Sequence, residues 1–115
     1  MKNQQLTSLI TELKKAAIIQ KVNLWKRIAN DLDKPTSKRR IVNLSRINRY
    51  CKDNEVIVVP GKVLSVGELD KKLTIAAYDF SGNAVQKITK SGSKAITIYE
   101  LLKKNPNGSK VRIIG

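Results

Sequence analysis

The sequence predicts a single small α/β domain with a helical N-terminal part. Its 115 residues suffice for one hydrophobic core but not for two ordinary domains. Apolar residues follow helical spacing in the first half, whereas short β-branched runs alternate with helical segments from residue 55 onwards. Because such alternation is typical of mixed cores, we expect a basic helical part at residues 1–52 and a mixed α/β core at residues 53–115.

Three helices are predicted in the first half. From Gln4 to Ala17, apolar residues recur at intervals of three and four, which is typical of an amphipathic helix. A second helix is expected to start at Asn23, whose amide can cap it, and to be stopped by Pro35. A third is expected after Asn43, with a cationic face opposite an apolar one. The apolar face of this third helix consists of Leu44, Ile47 and Cys51.

The second half is predicted to form short strands joined by tight turns. The run EVIVVPG is β-branched and ends at Pro60 and Gly61, and LTIAAYDFS is again typical of a strand. Ser81 can cap one helix, and Thr97 stands three residues before Glu100 in the pattern of a capping box. The final KVRIIG is expected to be a strand.

The chain is strongly basic. It has 23 Lys and Arg residues against nine Asp and Glu, a formal charge of +14. Since 41% of the residues are hydrophobic, too many for a disordered tail, we expect a folded protein that binds an acidic partner. Residues 1–52 carry 13 basic and three acidic residues, a net +10, whereas residues 53–115 carry ten and six, a net +4. The helical half therefore dominates the electrostatics.

Several classes of protein are disfavoured by residues that the chain lacks. It has no histidine, the commonest general base and a frequent metal ligand, and its carboxylates are scattered. We therefore expect no enzyme, catalytic residue, metal, cofactor or small-molecule substrate. Cys51 has no second cysteine to pair with and is expected to be a small buried hydrophobe. Without a signal-peptide pattern or an apolar run of roughly 18 residues, a cytoplasmic protein with no membrane partner is expected.

The best candidate for a binding surface begins in KPTSKRRIVNLSR, residues 34–46. It holds five cations and no carboxylate, and Pro35 and Thr36 disfavour helix, so free amides and hydroxyls could join the cations in holding phosphates. A solvated loop is the simpler alternative for such a charge run. We favour a basic patch that continues onto the third helix and a glycine turn, comprising Lys34, Lys38, Arg39, Arg40, Arg46, Arg49 and Lys62.

Motifs that read nucleic-acid sequence are missing. The few aromatic residues do not form the aromatic and basic run of an RNA-recognition sheet, so base stacking is not expected to be the main mode. Zinc fingers need Cys and His pairs, and no heptads follow a basic helix. Gly61 and Lys62 make no phosphate loop, because Val56 and Val63 stand where that motif needs Gly and Ser or Thr. We expect recognition of the backbone and shape of a folded nucleic acid, RNA rather than DNA.

Five segments occur in order along essentially the whole chain: LDKPTSKRR, VNLSRINRY, VIVVPGKVL, LTIAAYDFSGNAVQKI and NPNGSKVRII. Together they resemble the large-subunit ribosomal protein eighteen family of archaea and eukaryotes, a relative of bacterial large-subunit protein fifteen, and the length is similar to that of archaeal members. The resemblance implies irregular strand-strand-helix units stacked as a short superhelix after a helical N-terminal segment. It also implies a structural constituent of the large ribosomal subunit that takes part in translation and assembly, bound to large-subunit ribosomal RNA. Neighbouring ribosomal proteins, among them large-subunit protein four, are the other implied partners.

The positive charge leaves one alternative function open. A free-standing nucleic-acid chaperone, or an architectural nucleic-acid-binding protein, would need the same charge. An enzyme that acts on RNA ranks below both because the chain lacks histidine.

Overall fold

A parallel sheet with helices on both faces makes up the described part of the protein. The computed structural model describes residues 4–34 and 40–114. The predicted α/β class is confirmed, and the strand-strand-helix unit that the resemblance implies occurs as β2, β3 and α4. The elements in chain order are α1 (Gln4–Gln20), α2 (Asn23–Leu32), β1 (Arg40–Asn43), α3 (Leu44–Tyr50), β2 (Val56–Leu64), β3 (Thr74–Phe80), α4 (Gly82–Lys90), β4 (Lys94–Thr97), α5 (Ile98–Lys104) and β5 (Val111–Ile113).

Strand β2 is the centre of the sheet. The strand order is β1-β2-β3-β4, and β5 also pairs with β2. Since β3 occupies one edge of β2, the other edge is shared: β5 pairs with residues 56–58 and β1 with residues 61–64. All of these pairings are parallel. Strand β2 therefore pairs with both a strand of the N-terminal half, β1, and a strand near the C-terminus, β5.

The prediction that a strand ends at Pro60 and Gly61 was wrong. Strand β2 runs through both residues, and its register with β3 shifts between Val59 and Lys62. Proline has no amide hydrogen to donate, and sheets tolerate it at such irregularities. A Cβ at Gly61 would lie 1.9 Å from the carbonyl oxygen of Arg40, so β1 approaches β2 closely only because this residue is glycine.

Alternate residues of the central strands face two separate hydrophobic clusters. Ile57 and Val59 face the cluster under α3 and α4, whereas Val58 faces the cluster under α1, α2 and α5. This agrees with the period of two expected along a strand. The β-branched run therefore has both faces covered, as parallel sheets require.

Helices α1 and α2 form a layer against the sheet, and Trp25 anchors this layer. Its side chain is fully buried, as its helical phase predicts, and its indole Nε1 donates to the carbonyl oxygen of Pro106 at 2.7 Å. Helix α2 begins at Asn23, so Val22 occupies the capping position and the predicted Asn23 cap was wrong. This hydrogen bond gives the buried indole N–H the acceptor that it would otherwise lack.

The predicted caps of the later helices were mostly right. Ser81 Oγ accepts from the amide of Ala84 at 3.2 Å, and Thr97 Oγ1 accepts from the amide of Glu100 at 3.0 Å. Asn43 does precede α3, but its side chain makes no capping hydrogen bond. Strand β1 was not predicted. Its extended backbone leads directly into α3.

Candidate nucleic-acid interface

Helix α3 separates apolar and cationic side chains as its sequence predicts. Leu44 and Ile47 are fully buried against the sheet, whereas Arg46 and Arg49 are exposed. The Arg46 guanidinium carbon lies 5.4 Å from the centroid of the Tyr50 ring, in cation–π contact. The helix thus presents two arginines and one aromatic ring to solvent on a surface held by the core.

The end of α3 is fixed by cations that come from elsewhere in the chain. Lys71 Nζ donates to the carbonyl oxygen of Cys51 at 2.6 Å and also to that of Asn48. Arg112 Nη1 donates to the carbonyl oxygen of Tyr50 at 2.9 Å. Carbonyl groups at a helix C-terminus carry partial negative charge, so these cations satisfy hydrogen bonds and the helix dipole together. They fix the helix that carries Arg46.

A further cation with backbone partners, Lys87, holds the loop after β2. Its Nζ donates to the carbonyl oxygens of Ser65 and Gly67, each at 2.9 Å. The nearest carboxylate oxygen, on Glu68, is 4.0 Å away, so the backbone contacts are the closer ones. Part of the +14 charge is therefore used inside the fold and does not face a partner.

The prediction that no acid neutralises Lys34 and Arg40 was wrong. Asp31 is 7% exposed, and its Oδ1 lies 3.2 Å from Nζ of Lys34, while its Oδ2 lies 3.5 Å from Nε of Arg40. The sequence suggested helix-end chemistry for this aspartate. Instead it joins the last turn of α2 to the start of β1, so Arg40 has a structural role.

Two of the predicted cations, Lys38 and Arg39, lie outside the described residues. Lys62 is described, and it lies within β2 rather than on the predicted turn. Val63 packs in the cluster with Leu44 of α3, so Lys62, one residue earlier, points to the opposite face of the sheet. The structure brings together the two arginines of α3 but places Lys62 on the other side.

Lys62 has its own partner at the far end of the sheet. Its Nζ lies 3.8 Å from Oδ2 of Asp79, and both side chains are about half exposed, 46% and 57%. Exposed pairs of this kind contribute little, about 0 to 1 kcal/mol. The pair leaves Lys62 able to exchange Asp79 for a phosphate.

Arg112 is the residue near α3 that the sequence analysis missed. Together with Arg46, Tyr50, Ile113 and Ile114 it lines a cleft of about 210 Å³ between α3 and β5. Arg112 also lies 3.6 Å from a carboxylate oxygen of Glu55, beyond the cleft lining. No local pattern links residues 50 and 112. Only the pairing of β5 with β2 brings them together.

Cys51 is buried, as expected, directly after α3. Its side chain is 1% exposed, and burial raises the pKa of its thiol, with the Glu55 carboxylate raising it further. Within residues 4–34 and 40–114, no cluster of Cys, Asp and Glu could hold a metal ion. No helix in the described ranges is long and apolar enough to cross a bilayer.

The fold and this surface define a small basic α/β protein with a cationic helix face. The family model described as "Ribosomal protein 60S L18 and 50S L18e" matches residues 6–115. The chain belongs to this family, and the resemblance found in the sequence is thereby confirmed. The family is one of ribosomal structural proteins and not of enzymes, in agreement with the expectation of no catalytic activity.

Archaeal relatives support the same assignment. A protein of Methanosphaerula palustris is 50% identical over 112 residues, covering 97% of this chain and 93% of the relative. One of Pyrobaculum aerophilum is 42% identical, covering 97% and 92%, and one of Halobacterium salinarum is 44% identical, covering 96% and 94%. Each is named "Large ribosomal subunit protein eL18".

Proposed function

We propose that the chain is a structural constituent of the large ribosomal subunit and that it binds and stabilises folded ribosomal RNA. The observation that carries this proposal is α3, where Arg46 and Arg49 are exposed on a helix whose other face is buried and whose end is fixed by Lys71. A rigid cationic surface on a member of a ribosomal family suits a phosphate backbone. The chain would act as one ribosomal-protein domain, located with the ribosome in the cytoplasm.

The proposed mechanism is electrostatic and needs no chemical step. Lys and Arg side chains displace counterions from the RNA, and the fold holds those side chains in fixed positions. The proposed RNA contacts are Arg46 and Arg49 of α3, together with Lys34, Arg40, the predicted Lys38 and Arg39 outside the described residues, and Lys62 on the opposite face of the sheet. If about six phosphates are engaged, affinity falls roughly a thousandfold between 50 and 200 mM salt. In the subunit this binding would assist RNA folding and assembly.

A salt titration of RNA binding tests the proposal. The wild-type chain and a variant with Arg46→Ala and Arg49→Ala are titrated against a transcript of the large-subunit ribosomal RNA. The slope of log affinity against log salt should fall by roughly 2 in the variant, one unit for each lost contact. The matched control is Lys103→Ala with Lys104→Ala, two exposed cations of α5. Equal slopes for both variants would refute a special role of α3.

Sedimentation separates the proposal from the alternative of a free-standing chaperone. Lysate is centrifuged through a sucrose gradient at low and high salt. A structural constituent stays with the large subunit in high salt, because many contacts and neighbouring proteins hold it in place. A chaperone or architectural protein held by charge alone would move to the top of the gradient.

Neighbouring ribosomal proteins are the second proposed partner, with large-subunit protein four as the expected one. A groove of about 670 Å³ lies between α1 and the ends of β3 and β4, on the face of the sheet opposite α3. Its lining includes Leu9, Tyr78 and Tyr99, and none of the described residues that line it is Lys or Arg. On so basic a chain, a groove that is lined by Glu12 and aromatic side chains but by no described cation suits a protein surface better than RNA. Chemical crosslinking in purified subunits would identify the neighbour.

A further inference from the structure

The cleft between α3 and β5 combines an exposed aromatic ring with two arginines. The Tyr50 side chain is 49% exposed, and the Arg46 guanidinium lies 5.4 Å from its ring centroid. Arg112 is held beside them by its bond to the Tyr50 carbonyl oxygen. Ile113 and Ile114 of the β5 segment complete the lining.

The cleft contains no carboxylate among the described residues that line it. Glu55 neutralises part of the Arg112 charge, but it contacts the guanidinium through Nη1, and an arginine has further N–H donors. At about 210 Å³ the space is smaller than the clefts that enclose whole small ligands, about 300 to 1,000 Å³. It has room for one planar group against the ring, with anionic groups beside it.

We propose that this cleft binds one unpaired nucleotide of RNA, whose base lies against Tyr50 while Arg46 and Arg112 hold the adjacent phosphates. Aromatic rings and arginine planes are the usual surfaces on which unpaired RNA bases stack. The inference rests on the proposed function and adds to it. The surface around α3 binds the RNA backbone, and the cleft binds a base that is not paired within an RNA duplex.

A comparison with Tyr99 shows why Tyr50 is the chosen ring. Tyr99 is similarly exposed, at 44%, and Nζ of Lys103 lies 4.9 Å from its ring centroid. However, the neighbouring cleft on α5 is lined by Glu12 as well as by Lys15 and Lys103. A carboxylate there repels phosphates. The two tyrosines thus form a natural pair of test site and control.

Binding of the full chain to two RNA probes tests the proposal. The probes are a transcript of the large-subunit ribosomal RNA and a perfectly paired RNA duplex. Tyr50→Ala should weaken binding to the transcript about tenfold through loss of stacking, with an unchanged salt slope because no charge is lost. Tyr50→Phe should bind as wild type does. Tyr99→Ala should bind the transcript with the affinity of the wild type. On the duplex, every variant should bind with the affinity of the wild type.

Each result decides a separate point. If the wild-type chain does not bind the transcript, the proposed function fails. If it binds and Tyr50→Ala binds equally well, or Tyr50→Phe is as weak as Tyr50→Ala, the stacking site is refuted. Tyr50→Leu, which keeps an apolar side chain of substantial volume at this position, serves as the second variant and should show the same loss.

Ultraviolet crosslinking of native large subunits gives a readout that needs no variant. Stacked aromatic side chains form adducts with the base that they touch, so a nucleotide adduct is expected on Tyr50. Adducts elsewhere on the chain but none on Tyr50 would overturn the stacking site and leave the proposed function standing.

Discussion

Oδ2 of Asp31, near the end of α2, lies 3.5 Å from Nε of Arg40, the first residue of β1. The carboxylate side chain is only 9% exposed, and the arginine side chain is 35% exposed. The ion pair links the helical layer on one face of the sheet to the strand at its edge. An aspartate that the sequence assigned only to the end of a helix thereby positions a cation of the predicted RNA-binding patch.

Replacing this acid should destabilise the fold. Asp31→Asn keeps the shape but leaves the Arg40 charge without its partner, at a cost of about 1 to 2 kcal/mol, because the guanidinium is only partly buried. Urea unfolding measures the loss. Asp70→Asn, the same change of charge at an exposed loop position, should stay within about 0.5 kcal/mol of wild type. Equal stability of the two variants would contradict a structural role for the ion pair.

Lys71 should matter for stability far more than the adjacent Lys72. Lys71→Met leaves two carbonyl groups at the end of α3 without their donor, which should cost about 1 to 3 kcal/mol. Lys72→Met removes the same charge from an exposed position and should be nearly neutral. Chemical denaturation of both variants checks this, and a larger effect of Lys72→Met would show that the capping assignment is wrong.

Two glycines should respond in opposite ways to an added methyl group. Gly67 has φ +96, and a Cβ there would lie 2.4 Å from Cβ of Ser45, so Gly67→Ala should cost more than about 2 kcal/mol. Gly82 begins α4, and a Cβ there would meet no atom within 4 Å. Gly82→Ala should be neutral or slightly stabilising. Thermal melting distinguishes the two, and similar midpoints would refute the close approach of the loop to α3.

The buried thiol predicts a specific loss of stability at alkaline pH. The pKa of Cys51 is raised above its usual 9.0 by burial and then by Glu55, so the unfolded chain loses this proton at lower pH than the folded one. The contribution to stability is complete below about pH 9 and declines as pH rises towards the folded pKa. Unfolding midpoints from pH 7 to 10 should therefore fall more steeply for wild type than for Cys51→Ala. Parallel curves would contradict burial of the thiol.

Elements with local signals were predictable, whereas elements defined by pairing were not. Ser81 and Thr97 predict the starts of α4 and α5, because capping involves residues only three positions apart. Strand β1 has just four residues, and what makes it a strand is its register with β2, from Arg40↔Gly61 onwards. Likewise Pro60 is usually a strand breaker, and only the bulge opposite β3 explains its place within β2.

In the candidate site too, features that depend on local sequence were predictable, and contacts between distant elements were not. Exposure of Arg46 and Arg49 was predictable from helical phase, since both lie opposite buried Ile47. The pairing of Arg40 with Asp31 could not be predicted, because the two lie on different elements. The contact of Arg112 with Tyr50 spans 62 positions of sequence and depends on β5. Charge composition reveals which side chains are available, but the fold decides which of them meet.

The fold of this chain can be completed only when its last residues have been synthesised. The indole of Trp25 donates to a carbonyl group 81 positions later, and β5 must reach β2 before residues 56–58 of that central strand are paired on both edges. Contacts so distant in sequence form slowly, because a long loop must close first. A nascent chain stalled before residue 106 would therefore lack both the acceptor of the Trp25 indole and the strand that pairs with residues 56–58 of β2, and would be more prone to aggregation.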